Sequence, residues 1–270
     1  MPVIWCLILI FLANLGQPGL SAAAGASGGN LEELRYRLDL GLWSDVARVH
    51  LRLTQVGPDR YRAEFDGAAQ GVWSLLSRWL PERYETEMVL EDGRLKPLVY
   101  REKFQAKGHN ICKEFRFDYA RGLLEVWRGV DRQELVKSWQ VPLKEPVYDP
   151  LSLFYNLRLG AFGSLMAGQT LKVAVVPTPE PREMIFRIGP ETDQGRKVML
   201  EVVSPQAGQV ESDLYYIFCT PQLVPQQAWT RVMVFGKLSG QLLNPGEVME
   251  NGLPGLPRLS LDSSEARRRN

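Results

Sequence analysis

Histidine is scarce in this chain: His50 and His109 are the only two, and they lie far apart in sequence. No His-x-x-x-His or Cys-x-x-Cys spacing occurs, so a metal site would have to be gathered from scattered residues. Three cysteines, Cys6, Cys112 and Cys219, are too few for a disulfide scaffold. A phosphate-cradling Walker loop and a dinucleotide fingerprint are also missing, and no cofactor is expected. Neither sign of charge dominates, with 32 Lys and Arg against 31 Asp and Glu and a formal net charge of +1. The basic residues are scattered among the acids, without the stripe that nucleic-acid binders present, so no nucleic-acid partner is expected.

Long apolar runs are absent except at the start. Val3 to Ala13 is unbroken and apolar, well short of the ~20 residues that a spanning helix needs. Gly16-Gln17-Pro18-Gly19 and then Ala22-Ala23-Ala24 follow, the breaker and small residues of a cleavable signal peptide. Residues 1–24 are therefore expected to direct the chain to the periplasm or outside the cell, with cleavage after Ala24 and no transmembrane segment afterwards. The basic flank of such a peptide is missing, since no Lys or Arg precedes Arg35. Residues 25–32 read as a flexible leader, 33–243 as a single β-rich domain, and 244–270, rich in Pro, Gly, Ser and charge, as a disordered tail. In an oxidising compartment Cys112 could bond with Cys219, but Cys112 falls on the polar phase of its strand and the pairing stays open.

What the chain has in abundance is alternation. Leu34, Tyr36, Leu38 and Leu40 alternate with Arg35, Arg37 and Asp39, and the same period of two recurs near residues 49–53, 61–65, 84–90, 97–105, 111–119, 123–128 and 134–141. Short turns such as Gly57-Pro58-Asp59 and Asp92-Gly93 separate the runs, which forces neighbouring strands to be antiparallel. A further β run spans 170–243, in which Pro221–Gln227 reads as an insertion-like stretch. Two segments break the pattern. Val72, Leu75, Leu76 and Trp79 stand at helical spacing until Pro81, and Asp149-Pro150 opens a second helix that Gly160 closes. Asp149 suits the cap and Pro150 the first helical position.

A dozen or so strands with two short helices exclude a doubly wound α/β fold. The expected class is mainly β, a strongly curved antiparallel sheet or partly closed barrel with the two helices packed in or over its concave face. Trp73, Leu76, Trp79, Phe154 and Tyr155 are the candidate walls of a pocket for an apolar or amphipathic molecule such as a lipid. The competing expectation is a structural protein of the envelope that docks a protein partner through a sheet edge or the Pro221–Gln227 segment. No catalytic constellation stands out. Glu85 and Glu102 could approach as a glycosidase pair requires, although a face of ion pairs with Arg83, Arg101 and Lys103 accounts for them better. Trp43, Trp127, Trp139 and Trp229 are expected in the core.

Arg83-Tyr84-Glu85-Thr86, the run Asp92-Gly93-Arg94-Leu95-Lys96-Pro97, Phe115-Arg116-Phe117-Asp118-Tyr119, and Tyr148-Asp149-Pro150-Leu151-Ser152 with Gly168-Gln169 together resemble the bacterial domain of unknown function 3108. The strand pair after Trp229 is similar to that family's C-terminal end, while Cys219 and Pro221–Gln227 depart from its pattern. The resemblance implies an exported, β-rich, cell-envelope protein and brings no catalytic residues with it.

Overall fold

The computed structural model describes residues 29–73, 82–106, 108–131, 133–143, 146–163, 165–176, 182–202, 213–220, 223–232 and 236–244. The expected signal peptide, residues 25–28 of the expected leader, the expected helix beyond Trp73 with Leu76 and Trp79, and the chain after Asn244 lie outside these residues.

Fifteen strands form one sheet. They are β1 (Asn30–Leu40), β2 (Trp43–Gly57), β3 (Arg60–Ala69), β4 (Glu82–Glu91), β5 (Arg94–Ala106), β6 (His109–Asp118), β7 (Leu123–Val130), β8 (Val136–Pro142), β9 (Val147–Tyr148), β10 (Thr170–Val175), β11 (Arg182–Thr192), β12 (Gly195–Val202), β13 (Asp213–Cys219), β14 (Pro225–Val232) and β15 (Gly236–Leu242). Between β9 and β10 lies one helix, α1 (Pro150–Arg158). In space the order is β8 to β1, then β15 down to β9. The sheet is therefore two meanders joined where the first strand pairs antiparallel with the last, Tyr36 opposite Leu242 and Leu40 opposite Leu238. All neighbours are antiparallel except β9 and β10. The sheet is open, with β8 and β9 at its two ends.

Local chemistry explains most turns. Asp92 and Gly93 take φ of 53° and 71°, the two left-handed residues that a tight hairpin turn between Glu91 and Arg94 requires. One face of the sheet is mostly apolar. Leu34, Tyr36, Leu51, Tyr61, Tyr84, Tyr100, Phe115 and Tyr215 are all fully buried on it. The other face carries the charge, paired across strands. Arg101 donates to Glu85 at 3.0 Å, to Glu87 at 2.8 Å and to Glu114 at 2.7 Å.

α1 is an interior helix, with Leu157 its only residue that is not buried. Its polar groups must therefore be met by protein. At the N-terminus, Asp149 Oδ1 accepts from Leu151 N at 2.9 Å and from Ser152 N at 3.2 Å, while Ser152 Oγ accepts from Asp149 N at 3.1 Å. Thr86 Oγ1 of β4 donates to the same oxygen at 2.6 Å. Burial raises the Asp149 carboxyl above its ordinary range, and these bonds oppose the rise. In the middle, the Asn156 amide accepts from Leu95 N at 2.9 Å and donates to Leu95 O at 2.8 Å. It pairs as a strand would, at a point on β5 beyond the Val99–Arg116 pair where the ladder with β6 ends. At the C-terminus, Arg158 meets Glu32 of β1 at 2.8 Å with both side chains buried. Gly160 then takes φ of 75° and ends the segment.

Several expectations shift. β1 starts at Asn30, so residues 30–32 belong to the sheet rather than to a leader, since Glu32 is bound to Arg158. Of the expected Pro221–Gln227 stretch, the described residues 223–227 are packed or strand-paired rather than free. Leu223 and Val224 are buried and Pro225–Gln227 open β14 against β13. Cys112 and Cys219 are both free. They sit on opposite faces, Cys112 in phase with Glu114 and Cys219 in phase with the buried Tyr215 and Ile217. Trp43 is half exposed. Trp229 and Trp127 lie on the charged face, the first stacked on Tyr216 and Phe218, the second under Arg116 at 4.3 Å.

Asn156→Leu keeps the branched shape and the number of heavy atoms and strands a buried N–H and C=O of Leu95. Each unsatisfied buried group costs about 1–3 kcal/mol, so chemical denaturation of this variant should show a loss of about 2–5 kcal/mol. A loss under ~1 kcal/mol would remove the amide from the forces holding α1.

Candidate functional site

α1 packs on one flank against β3, β4, β5 and β9. On its other flank Leu153, Phe154 and Leu157 face β11 to β14 across a cavity of about 60 Å³. Phe186, Ile188, Leu200 and Cys219 are among the residues on the far wall, and the lining is almost wholly apolar. The only wall group able to act as a nucleophile is the Cys219 thiol. Burial pushes it up to about 12, with Arg196 and Arg158 only partly opposing, so it stays protonated and inert near neutral pH.

Of the pocket walls expected from sequence, Phe154 lines this cavity. Tyr155 is fully buried but is absent from the lining, and its ring meets Phe154 edge-on at 4.9 Å. Trp73 stands elsewhere, at the turn end of the sheet, with its ring 5.2 Å from that of Trp43. Leu76 and Trp79 lie outside the described residues. The walls from β11 to β14 escaped sequence reading because alternation marks Phe186, Ile188 and Leu200 as core without saying which helix they face.

A second group on the inner face carries charge. Glu102 on β5 is 1% exposed and accepts from Lys113 Nζ of β6 at 3.1 Å. The Lys113 ammonium also lies 5.2 Å from the centre of the Phe104 ring. Beside them Tyr84 donates to Glu82 Oε2 at 2.6 Å. The Tyr100 hydroxyl lies near the Glu102 carboxylate without a well-aligned hydrogen bond. Burial pushes Glu102 up to about 7, Lys113 opposing and the charge on Glu82 adding to the rise. Burial also raises Glu82, against its bond from Tyr84. A glycosidase-like pairing of Glu85 with Glu102 is excluded by strand phase. Glu85 points to the outer face and bonds Arg101, whereas Glu102 shares the inner face with Tyr100. Phase would have revealed this, because Glu102 falls two residues after Tyr100 and two before Phe104. Among the described residues no group of three or more His, Cys, Asp and Glu is placed to hold a metal. No described helix is long and apolar enough to cross a membrane.

The folded Glu102 carboxyl binds its proton about 2.5 pH units more tightly than its ordinary value of 4.5. Between pH ~4.5 and ~7 the folded state therefore holds the proton that the unfolded state has lost, so stability falls across that window. Glu102→Gln should gain on the wild type by on the order of 3 kcal/mol as pH rises from 4.5 to 7.5. The check is urea denaturation of both chains at the two pH values, and a stability difference that ignores pH would contradict the assignment.

The model of a family described as Protein of unknown function (DUF3108) matches residues 35–188, from within β1 through α1 and into β11. The likeness after Trp229 lies beyond that match. No curated protein matches the chain. Among solved structures, the crystal structure of a beta-barrel-like protein of domain of unknown function DUF1849 from Brucella abortus is similar to it at 9% identity, covering 78% of this chain and 94% of that one with a TM-score of 0.45. With the match spanning more than half of its length, including the helix and the inner-face carboxylates, this chain belongs to the DUF3108 family.

Proposed function

We propose that this is an exported, non-enzymatic protein whose sheet bends round α1 and holds the apolar end of an amphipathic molecule between the helix and β11 to β14. The observation that carries the reading is the cavity itself, an apolar space beside a helix that is otherwise tightly packed. Its size sets the ligand. A single water needs ~10–15 Å³ on this measure, so about 60 Å³ admits a short chain end and not a whole lipid. Burying roughly four methylenes at ~0.8 kcal/mol each yields about 3 kcal/mol, which is millimolar binding or weaker on its own. Tight retention would require the walls to part or a polar group of the ligand to find a partner.

The alternative is an envelope protein that docks a partner strand along β8. That reading rests on β8 being an edge of the sheet, seven residues long and largely exposed, with Val136 outermost. Lys137 and Pro142 on the same strand oppose it, since edge lysine and proline discourage pairing.

Titration with linear alcohols of increasing length separates the two. A cavity that takes a chain end should tighten about fourfold per methylene, following ~0.8 kcal/mol each, and then level off. Leu200→Trp fills the space and should abolish the trend. Affinity that is independent of length, or unchanged in the variant, would leave the cavity as a packing defect and favour the edge-strand reading. Export has its own check: protein recovered from a periplasmic extract should begin at Gly25, and an intact Met1 would refute cleavage after Ala24.

A further inference from the structure

Two buried hydroxyls stand beside the cavity without a partner. Tyr36 of β1 and Tyr155 of α1 are fully buried, and neither phenol oxygen meets a hydrogen-bond partner among the described residues. Buried polar atoms are nearly always paired, so each exception needs a reason. The fold brings the two together. Glu32 and Tyr36 stand four residues apart on the inward phase of β1, and Tyr155 and Arg158 stand three apart on one face of α1. The Arg158–Glu32 bond at 2.8 Å joins those two faces. Burial raises both phenols well above their ordinary range, the Glu32 charge adds to the rise and Arg158 opposes it, so both hydroxyls lie within reach of this ion pair. Cys219 connects the group to the cavity: it lines the wall, and its thiol interacts with Tyr36 and with Arg158.

The chemistry of these groups selects the ligand. A phenol hydroxyl can donate and accept, so the pair suits an oxygen that accepts twice or that accepts from one and donates to the other. It offers no charge. Arg158 and Glu32 already hold each other, and Arg196, the other cation acting on Cys219, is engaged by Glu191 at 3.2 Å and by Leu165 O at 2.7 Å. A buried ion without a counter-charge is disfavoured far more than a neutral polar group that makes a hydrogen bond. We propose that Tyr36 and Tyr155 form a polar subsite for an uncharged oxygen, a hydroxyl or a carbonyl, on a molecule whose short alkyl end fills the cavity. This subsite depends on the cavity holding a chain end and adds the head group to it.

The test compares pentan-1-ol, pentanoate and pentylamine, one chain with three heads, by NMR titration of the full chain at neutral pH. Pentan-1-ol should bind at least tenfold more tightly than either ion. Tyr36→Phe and Tyr155→Phe remove only the unpartnered oxygens, so each should melt at or above the wild-type temperature while weakening pentan-1-ol about fivefold, as the loss of one neutral hydrogen bond implies. Equal affinity in the wild type and both variants, tighter binding of either ion, or a lower melting temperature in both variants would overturn the subsite. The two readings fail separately. If Leu200→Trp abolishes pentan-1-ol binding that both tyrosine variants leave untouched, the cavity stands and the subsite falls, whereas no binding of pentan-1-ol to the wild type removes both.

Discussion

A helix buried against a sheet has no solvent to satisfy its polar groups, and the arrangement of this protein follows from that constraint. Three polar side chains on or beside α1 each reach a different part of the first meander: Asp149 to Thr86 on β4, Asn156 to the backbone of Leu95 on β5, and Arg158 to Glu32 on β1. They fix the helix along its whole length on one flank. Among the described residues none of these bonds reaches β11–β14, and that flank is where the cavity lies. The cavity is thus the complement of the polar attachments. A helix cannot be registered to two half-sheets at once unless both supply matched partners, and among the described residues those partners come from the first half.

The two faces of the sheet solve opposite problems. The outer one lies in solvent and keeps its charges paired in chains such as Glu87, Arg101, Glu114 and Arg116. Glu114 shows the balance: burial raises its carboxyl, but bonds from Arg101 and Arg116 outweigh that and hold it below its ordinary range. Glu102, one strand over and facing inward, has a single lysine and is left high. The same residue type therefore takes opposite protonation behaviour according to strand phase and the number of cations within reach.

Short-range features were legible in the sequence and long-range ones were not. Asp149-Pro150 with Gly160 declared the helix because capping depends on neighbours a few residues away, and the hairpin turn at Asp92-Gly93 did the same for β4 and β5. The inward position of Glu102 is equally local, since it stands two residues from Tyr100 and shares its strand phase. The expectation of core positions for Trp229 and Trp127 fails for a physical reason. Hydrophobicity alone cannot tell a core ring from one stacked on Tyr216 or beneath Arg116 on the solvent side. Which strands of β11–β14 face the helix, and that β1 meets β15, are facts about partners far away in the chain that no local pattern encodes.

The seam between β1 and β15 has a consequence for how the fold is reached. Every other ladder joins segments close in sequence and closes a short loop, whereas Tyr36 meets Leu242 across roughly 200 residues. The equilibrium cost of that span is modest, about 2 kcal/mol more than a 20-residue closure because the penalty grows only logarithmically. Its kinetic weight is larger. During synthesis β1 has one neighbour and one bare edge until the last strand has been made, so an edge bounded by Leu34, Tyr36 and Leu38 stays open for almost the whole lifetime of the nascent chain. A chain cut short before Gly236 would keep that edge open permanently, with β14 bare opposite it, and would pair with copies of itself.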